Sequence, residues 1–145
     1  MGKEIEHKYL VKNDSFKTSS LENHMIIQGY LSKDPERTVR VRIYDDKGFL
    51  TVKGKTIGDT RLEFEYEIPF QEAQSLLKLC IGLPIEKRRW IVKHEKNIWE
   101  IDEFINPDIP TIAEIELSQS TYDYPLPEFI GEEVTGNPKF YNSNL

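Results

Sequence analysis

The 145-residue chain predicts a mainly β fold, an antiparallel meander closing into a barrel or a strongly curved sheet, with one substantial helix. Three observations carry this prediction. Segment after segment alternates apolar and charged residues with the two-residue period of a strand. Turn clusters rich in Gly, Asp, Asn or Pro separate those segments at hairpin-like spacing. Only residues 69–81 repeat their apolar positions at helical intervals.

The elements follow in order. Residues 3–10 open the chain as a strand with Glu4, Glu6 and Lys8 on one face and Ile5, His7 and Tyr9 on the other. Asn13, Asp14 and Ser15 form a capping or turn cluster before a short segment at 16–23. Residues 25–31 read as a strand, with Gly29 a bulge or close-approach point. After a turn at 33–36, residues 38–44 set Thr38, Arg40 and Arg42 against Val39, Val41 and Ile43. Asp45-Asp46-Lys47-Gly48 is a hairpin signal. Residues 49–55 then oppose Thr51, Lys53 and Lys55 to Leu50 and Val52. A turn at Gly58-Asp59 leads into 61–68, where Glu63, Glu65 and Glu67 oppose Phe64, Tyr66 and Ile68.

Phe70, Ala73, Leu76, Leu77 and Cys80 make an amphipathic helix of 69–81, ended by Gly82. Strands resume at 85–93, 97–104 and 111–117, bearing Lys87/Arg89, Glu100/Asp102 and Glu114/Glu116 on single faces. Pro125 and Pro127 are expected to open a short helix through Ile130. The stretch 136–145 is polar and irregular.

The length fits a single domain, residues 1–145, with a sizeable core. A formal charge of −6 argues against a nucleic-acid binder that works by neutralising phosphates, yet it leaves room for a local basic cluster. No apolar run approaches the ~20 residues of a membrane span, and the opening has no hydrophobic signal region. The single cysteine, Cys80, excludes a disulfide framework and reads as a buried structural thiol. A soluble, cytoplasmic protein is expected.

For any one strand, an apolar face toward the core and a charged face toward water would explain the pattern. The strands together resist that explanation, because their charges are sorted by strand. Glu4/Glu6, Glu100/Asp102 and Glu114/Glu116 are acidic pairs, whereas Arg40/Arg42, Lys53/Lys55 and Lys87/Arg89 are basic pairs. Solvated faces usually intersperse the signs. In a closed barrel one face of every strand points at a shared interior, and the apolar faces turn outward to be covered by helices, loops or a second subunit. A charged interior is costly unless its charges are paired, hydrated or liganded. A hydrated tunnel holding a polyanion and a divalent cation needs both signs in one cavity.

Glu4-Ile5-Glu6-His7-Lys8 resembles the ExExK signature of the triphosphate tunnel metalloenzymes, the CYTH superfamily. The resemblance runs on in order through Gln28-Gly29-Tyr30-Leu31, Arg40-Val41-Arg42, Thr51-Val52-Lys53-Gly54-Lys55 and the acidic strand Glu63 to Ile68. It continues through Glu86-Lys87-Arg88-Arg89, Trp99-Glu100-Ile101-Asp102, Ala113-Glu114-Ile115-Glu116 and Gly131-Glu132-Glu133-Val134-Thr135. It implies an eight-stranded antiparallel closed barrel whose charged tunnel binds a triphosphate with Mg²⁺ or Mn²⁺. By that resemblance Glu4, Glu6, Asp102, Glu114 and Glu116 are metal-side carboxylates, and Lys8, Arg40, Arg42, Lys53, Lys87 and Arg89 hold the triphosphate. Glu4, Glu6, Lys8, Lys87 and Arg89 are the catalytic set. Lys55, Arg61 and Lys139 are further substrate-side members or serve the tunnel mouth. Glu63 and Glu65 bind a second metal or pair with neighbouring bases.

The implied reaction is metal-dependent hydrolysis of a triphosphate, with inorganic tripolyphosphate as first choice. The alternatives are a class IV-type adenylate cyclase, a thiamine triphosphatase or other nucleoside triphosphatase, and a non-catalytic polyphosphate-binding module. The partner is then a small-molecule triphosphate, not nucleic acid or membrane, and the apolar exterior makes a homodimer reasonable. His7, His24, His94, Trp90 and Trp99 are assigned to packing or surface roles, and Tyr30 to packing or to the tunnel.

Overall fold

The computed structural model describes residues 2–119 and 123–145. Its strands are β1 (Lys3–Val11), β2 (Glu22–Ser32), β3 (Arg37–Tyr44), β4 (Lys47–Gly54), β5 (Thr60–Ile68), β6 (Ile85–His94), β7 (Asn97–Asn106), β8 (Ile112–Glu116) and β9 (Ile130–Glu133). They pair antiparallel in the order β5-β4-β3-β2-β6-β7-β8-β1, and β1 pairs back to β5, so eight strands close into a barrel. The extra strand β9 takes the edge of β1 beyond Ile5, where β5 has left it. Closure leaves almost no unpaired strand edge.

The apolar faces point outward, as strand alternation in a closed barrel requires. One core cluster packs Ile5, Tyr9, Trp99, Ile101, Ala113 and Ile115 from β1, β7 and β8 beneath Phe16 and Phe129. Phe16 belongs to the short helix α1 (Phe16–Ser19). The second cluster packs Val41 and Ile43 of β3 under Ala73 of helix α2 (Phe70–Leu77). Helix and strand approach closely there because Gly48 has no side chain: a Cβ at that position would lie 2.6 Å from the Ala73 Cβ. Much of the barrel's apolar exterior is thus covered by this chain's own elements. The outer face of β5 is the exception, with Leu62, Phe64 and Tyr66 exposed.

Two sequence expectations need correction. The helix expected over 69–81 ends at Leu77, and turns bonded from Lys78, Leu79 and Cys80 finish the segment. The helix expected to lead from Pro125 to Ile130 does not form. Phe129 and Ile130 are buried in the first core cluster, and the chain from Ile130 extends along β1 as β9. A free backbone edge and an apolar pocket outweighed the helix-opening tendency of the prolines. The irregular tail contains two short 3-10 turns, Pro138–Phe140 and Asn142–Asn144.

Candidate active site

Ring closure converts an alternating list of strands into a divided wall. β4, β3, β2 and β6 are consecutive around the barrel and carry Lys53, Arg40, Arg42, Lys87 and Arg89, with neutral Gln28 and Tyr30 between them. β7, β8, β1 and β5 complete the ring and carry Glu100, Asp102, Glu114, Glu116, Glu4, Glu6, Glu63 and Glu65. Lys8 and Arg61 are the cations on the acidic half. Neither half is legible from chain order, because β6 is inserted beside β2 and β1 closes on β5.

The interior is a cavity of about 210 Å³ whose lining draws on both halves. Arg40 reaches Thr51 Oγ1 at 3.2 Å and Glu65 Oε2 at 3.3 Å, and Thr51 donates to Glu65 at 2.8 Å. Arg42 donates through Nε to Gln28 Oε1 at 2.8 Å. Lys53 bridges Glu4 at 3.0 Å and Glu63 at 3.2 Å. Arg89 grips Asp102 with Nε at 2.8 Å and Nη2 at 3.0 Å, and its Nη1 lies 3.4 Å from Glu100. Lys87 lies 2.7 Å from Asp102. The Nε of Arg40 is buried with no hydrogen-bond partner among the described residues, so this cavity-lining cation has unused donor capacity.

The electrostatics show a site under strain from both signs. Burial, reinforced by Glu114 and Glu4, holds the Glu6 carboxyl well above the usual carboxylate range. Burial pushes Glu114 the same way, but Lys8 and a hydrogen bond from Glu6 outweigh it and hold Glu114 down at about 2. The two neighbours are thus pushed apart, Glu6 toward its protonated form and Glu114 toward its ionised form. Burial, then Glu4, Glu63 and Glu100, raises Glu116. On the basic side, burial lowers Lys87 to about 7 against the pull of Asp102, and burial with Arg40 and Arg89 lowers Arg42 to about 9. Crowded carboxylates that retain a proton are suited to a hard, oxygen-seeking cation, and crowded bases to a polyanion. Among the described residues no three His, Cys, Asp or Glu side chains converge as a finished metal cage. The donor chemistry of Glu4, Glu6, Glu114 and Glu116 nonetheless fits such an ion, because its charge would relieve the repulsion among these carboxylates.

Comparison with known proteins agrees with this geometry. A family model described as CYTH domain matches residues 2–141. The chain belongs to the CYTH domain family. It is 47% identical over 147 residues to an inorganic triphosphatase of Acetivibrio thermocellus, an alignment covering 100% of this chain and 94% of that protein. Among solved structures, the inorganic triphosphatase NE1496 superposes with a TM-score of 0.66 at 26% identity, over 97% of this chain and 92% of that one. A putative adenylyl cyclase from Hippeastrum shares the fold, with a TM-score of 0.63 at 19% identity over 80% of each chain.

Within this CYTH barrel, Glu4, Glu6, Lys8, Arg40, Arg42, Lys53, Arg61, Glu63, Glu65, Lys87, Arg89, Glu114 and Glu116 all line one cavity. Three expected members are elsewhere. Lys55 follows the end of β4 and is exposed, and Lys139 is exposed in a 3-10 turn with its ammonium over Phe140. Asp102 is on the interior face but buried beneath Arg89 and Lys87, which take both of its oxygens, so it anchors cations and does not line the cavity. Its neighbour Glu100 lines the cavity in its stead. Tyr30, assigned to packing or to the tunnel by sequence, is buried and lines the cavity too. Sequence reasoning also missed Gln28, Thr135, Tyr141 and Asn142. Gln28 and Thr135 fall inside blocks that the resemblance covers, whereas the last two lie in an irregular tail with no periodicity to flag them.

Proposed function

We propose that this CYTH protein is a divalent-cation-dependent triphosphatase, hydrolysing inorganic tripolyphosphate to pyrophosphate and orthophosphate in the cytoplasm with Mg²⁺ or Mn²⁺. One observation carries the reading: a single closed bore divided lengthwise into a basic half and an acidic half. A nucleic-acid groove would need only the first, and a structural cation site only the second. The 47% identity to an inorganic triphosphatase supports the reading independently. No helix among the described residues is long and apolar enough to cross a membrane.

In this reading Arg40, Arg42, Lys53, Lys87 and Arg89 hold the phosphate chain, with the planar guanidinium forks gripping oxygen pairs and the lysines acting as point charges. Glu4, Glu6, Glu114 and Glu116 would hold the cation, and Glu63 and Glu65 at the rim would hold a second. A cation bound there would polarise phosphorus and make a water more acidic. Lys8, on the acidic half beside Glu6 and Glu114, neutralises charge between the two halves. Asp102 keeps Lys87 and Arg89 aimed. The basic half fixes the chain in line, so positioning and charge neutralisation do most of the catalysis. As the water oxygen bonds to the terminal phosphorus, a carboxylate of the acidic half takes the proton and pyrophosphate departs.

Phosphate release from tripolyphosphate, ATP and thiamine triphosphate, with Mg²⁺ or Mn²⁺ and with cyclic AMP monitored from ATP, tests the reading. Tripolyphosphate should be the best substrate, and Glu4→Gln or Glu116→Gln should abolish turnover. Cyclic AMP as the dominant product would overturn the assigned reaction. Retention of most activity by either variant with Mg²⁺ present would overturn the carboxylate assignment.

A further inference from the structure

The carboxyl-terminal tail crosses the bore. The Phe140 carbonyl accepts from Lys8 Nζ at 3.3 Å, and the Tyr141 ring centre lies 5.4 Å from the same ammonium. One residue further, Asn142 Oδ1 accepts from Lys87 Nζ at 2.9 Å and from Gln28 Nε2 at 3.2 Å. Lys8 belongs to β1 and Gln28 to β2, which stand diametrically opposite in the ring of eight. Residues 140–142 therefore link side chains that reach in from opposite walls, and Tyr141, Asn142 and Ser143 become part of the cavity lining. Beneath them Gln28 and Lys87 are wholly buried. Elsewhere on the lining Glu65 and Glu100 keep 42% and 40% of their side chains exposed, so the cavity is open to solvent there.

The orientation of Asn142 is fixed on both sides. Lys87 has only donors to offer, and Gln28 already accepts from Arg42, so both present N–H to the Asn142 carboxamide. Its oxygen is taken twice, whereas its Nδ2 has no partner among the described residues. This leaves a neutral donor at the blind end of a polyanion site, held by Lys87 and, through Gln28, by Arg42.

We propose that Asn142 is the end-stop of the substrate site, donating through Nδ2 to the leading terminal phosphate and restricting the enzyme to polyphosphates with an unsubstituted terminus. The inference rests on the triphosphatase reading for its substrate class. A linear chain enters the open mouth with one terminus leading and comes to rest against Asn142, Lys8 and Lys87. A substituent on that terminus meets a wall that reaches across the bore. Tripolyphosphate, with two free ends, satisfies the stop in either direction, and a triphosphate substituted at both ends satisfies it in neither.

The test compares the wild-type protein with Asn142→Asp and Asn142→Ala. Binding of tripolyphosphate is measured by calorimetry in EDTA. Phosphate or nucleotide release is measured with Mg²⁺ from tripolyphosphate and from diadenosine triphosphate, which has the same phosphate count but no free end. Asn142→Asp keeps the size and the accepting oxygen but exchanges the donor for an anionic acceptor. It should weaken tripolyphosphate binding about ten- to a hundredfold, the range for losing a hydrogen bond to a charged group. Asn142→Ala should raise KM by more than it lowers kcat, and the wild type should leave diadenosine triphosphate uncut. Unchanged binding by Asn142→Asp, or a lowered melting midpoint with unchanged KM, would reduce Asn142 to a structural contact and overturn the proposal. Cleavage of diadenosine triphosphate as readily as tripolyphosphate would overturn it as well. If Asn142-dependent binding in EDTA came without Mg²⁺-dependent hydrolysis, the end-stop would stand and the triphosphatase reading would fall.

Discussion

Replacing Asp102 by Asn separates two roles that its position in the sequence leaves open. In the structure the carboxylate is 1% exposed and accepts from Arg89 at 2.8 and 3.0 Å, with Lys87 at 2.7 Å. Burial would raise its pKa, but Arg89 and Lys87 outweigh burial and hold it far below the usual carboxylate range. An amide of the same shape removes the countercharge of buried Lys87 and leaves buried Arg89 with Glu100 alone. Breaking a buried ion pair on one side costs about 3–5 kcal/mol. At this chain length that corresponds to a fall in Tm on the order of 10 °C. Urea unfolding measures the stability, and a Mg²⁺ titration of activity measures the metal requirement. We expect Asp102→Asn to be destabilised by that amount, to bind tripolyphosphate more weakly because Lys87 loses its pull toward the charged form, and to need no more Mg²⁺ than the wild type. By linkage the weaker binding means that saturating tripolyphosphate should raise the melting midpoint of the variant less than that of the parent. Wild-type stability together with activity rescued by excess Mg²⁺ would refute the anchoring argument and return Asp102 to the metal-ligand set.

Two further predictions follow from named groups. Burial lowers the Lys87 ammonium to about 7, so tripolyphosphate affinity should weaken as pH rises through about 7, and Lys87→Arg, which keeps its charge, should lose that alkaline fall. The matching stability term has the opposite sense: between about 7 and the ~10.4 of an unfolded lysine the native state binds fewer protons, so this group adds stability as pH rises. An identical pH profile of KM in Lys87→Arg would show that another group is responsible. Gly48→Ala drives a Cβ to 2.6 Å from Ala73 and 3.1 Å from the Ile68 carbonyl, and overpacking of this kind costs about 1–3 kcal/mol. An unchanged urea midpoint would mean that α2 shifts freely on β3 and β4.

Much of the fold was legible because its signals are local. Alternation in 38–44, 61–68 and 85–93 corresponds to β3, β5 and β6, and it also shows which side chains share a face. The errors have physical causes. Pro125 and Pro127 favour helix opening locally, but the unpaired edge of β1 and the pocket around Phe129 captured the segment as β9. Glu100 and Asp102 are two residues apart on one face, and alternation cannot tell which faces the cavity and which is sequestered by Arg89 and Lys87. Lys55 continues the pattern of Thr51 and Lys53, but the strand ends at Gly54, so its side chain goes to solvent.

The sequence by itself determined the strand periodicity, the sorting of charge by strand and most of the charged side chains that line the cavity. Those follow from the two-residue period of a strand, a property each segment carries alone. The tertiary structure decided the order around the ring. Pairing β2 with β6, β8 with β1 and β1 with β5 gathers most of the interior bases into one half of the wall and the interior acids into the other. It also brought Asn142, from a tail without periodicity, onto Lys87 and Gln28 at the blind end of the bore. Both are long-range outcomes of barrel closure, and no local pattern in the chain encodes which strand will be a neighbour or what will close the tunnel.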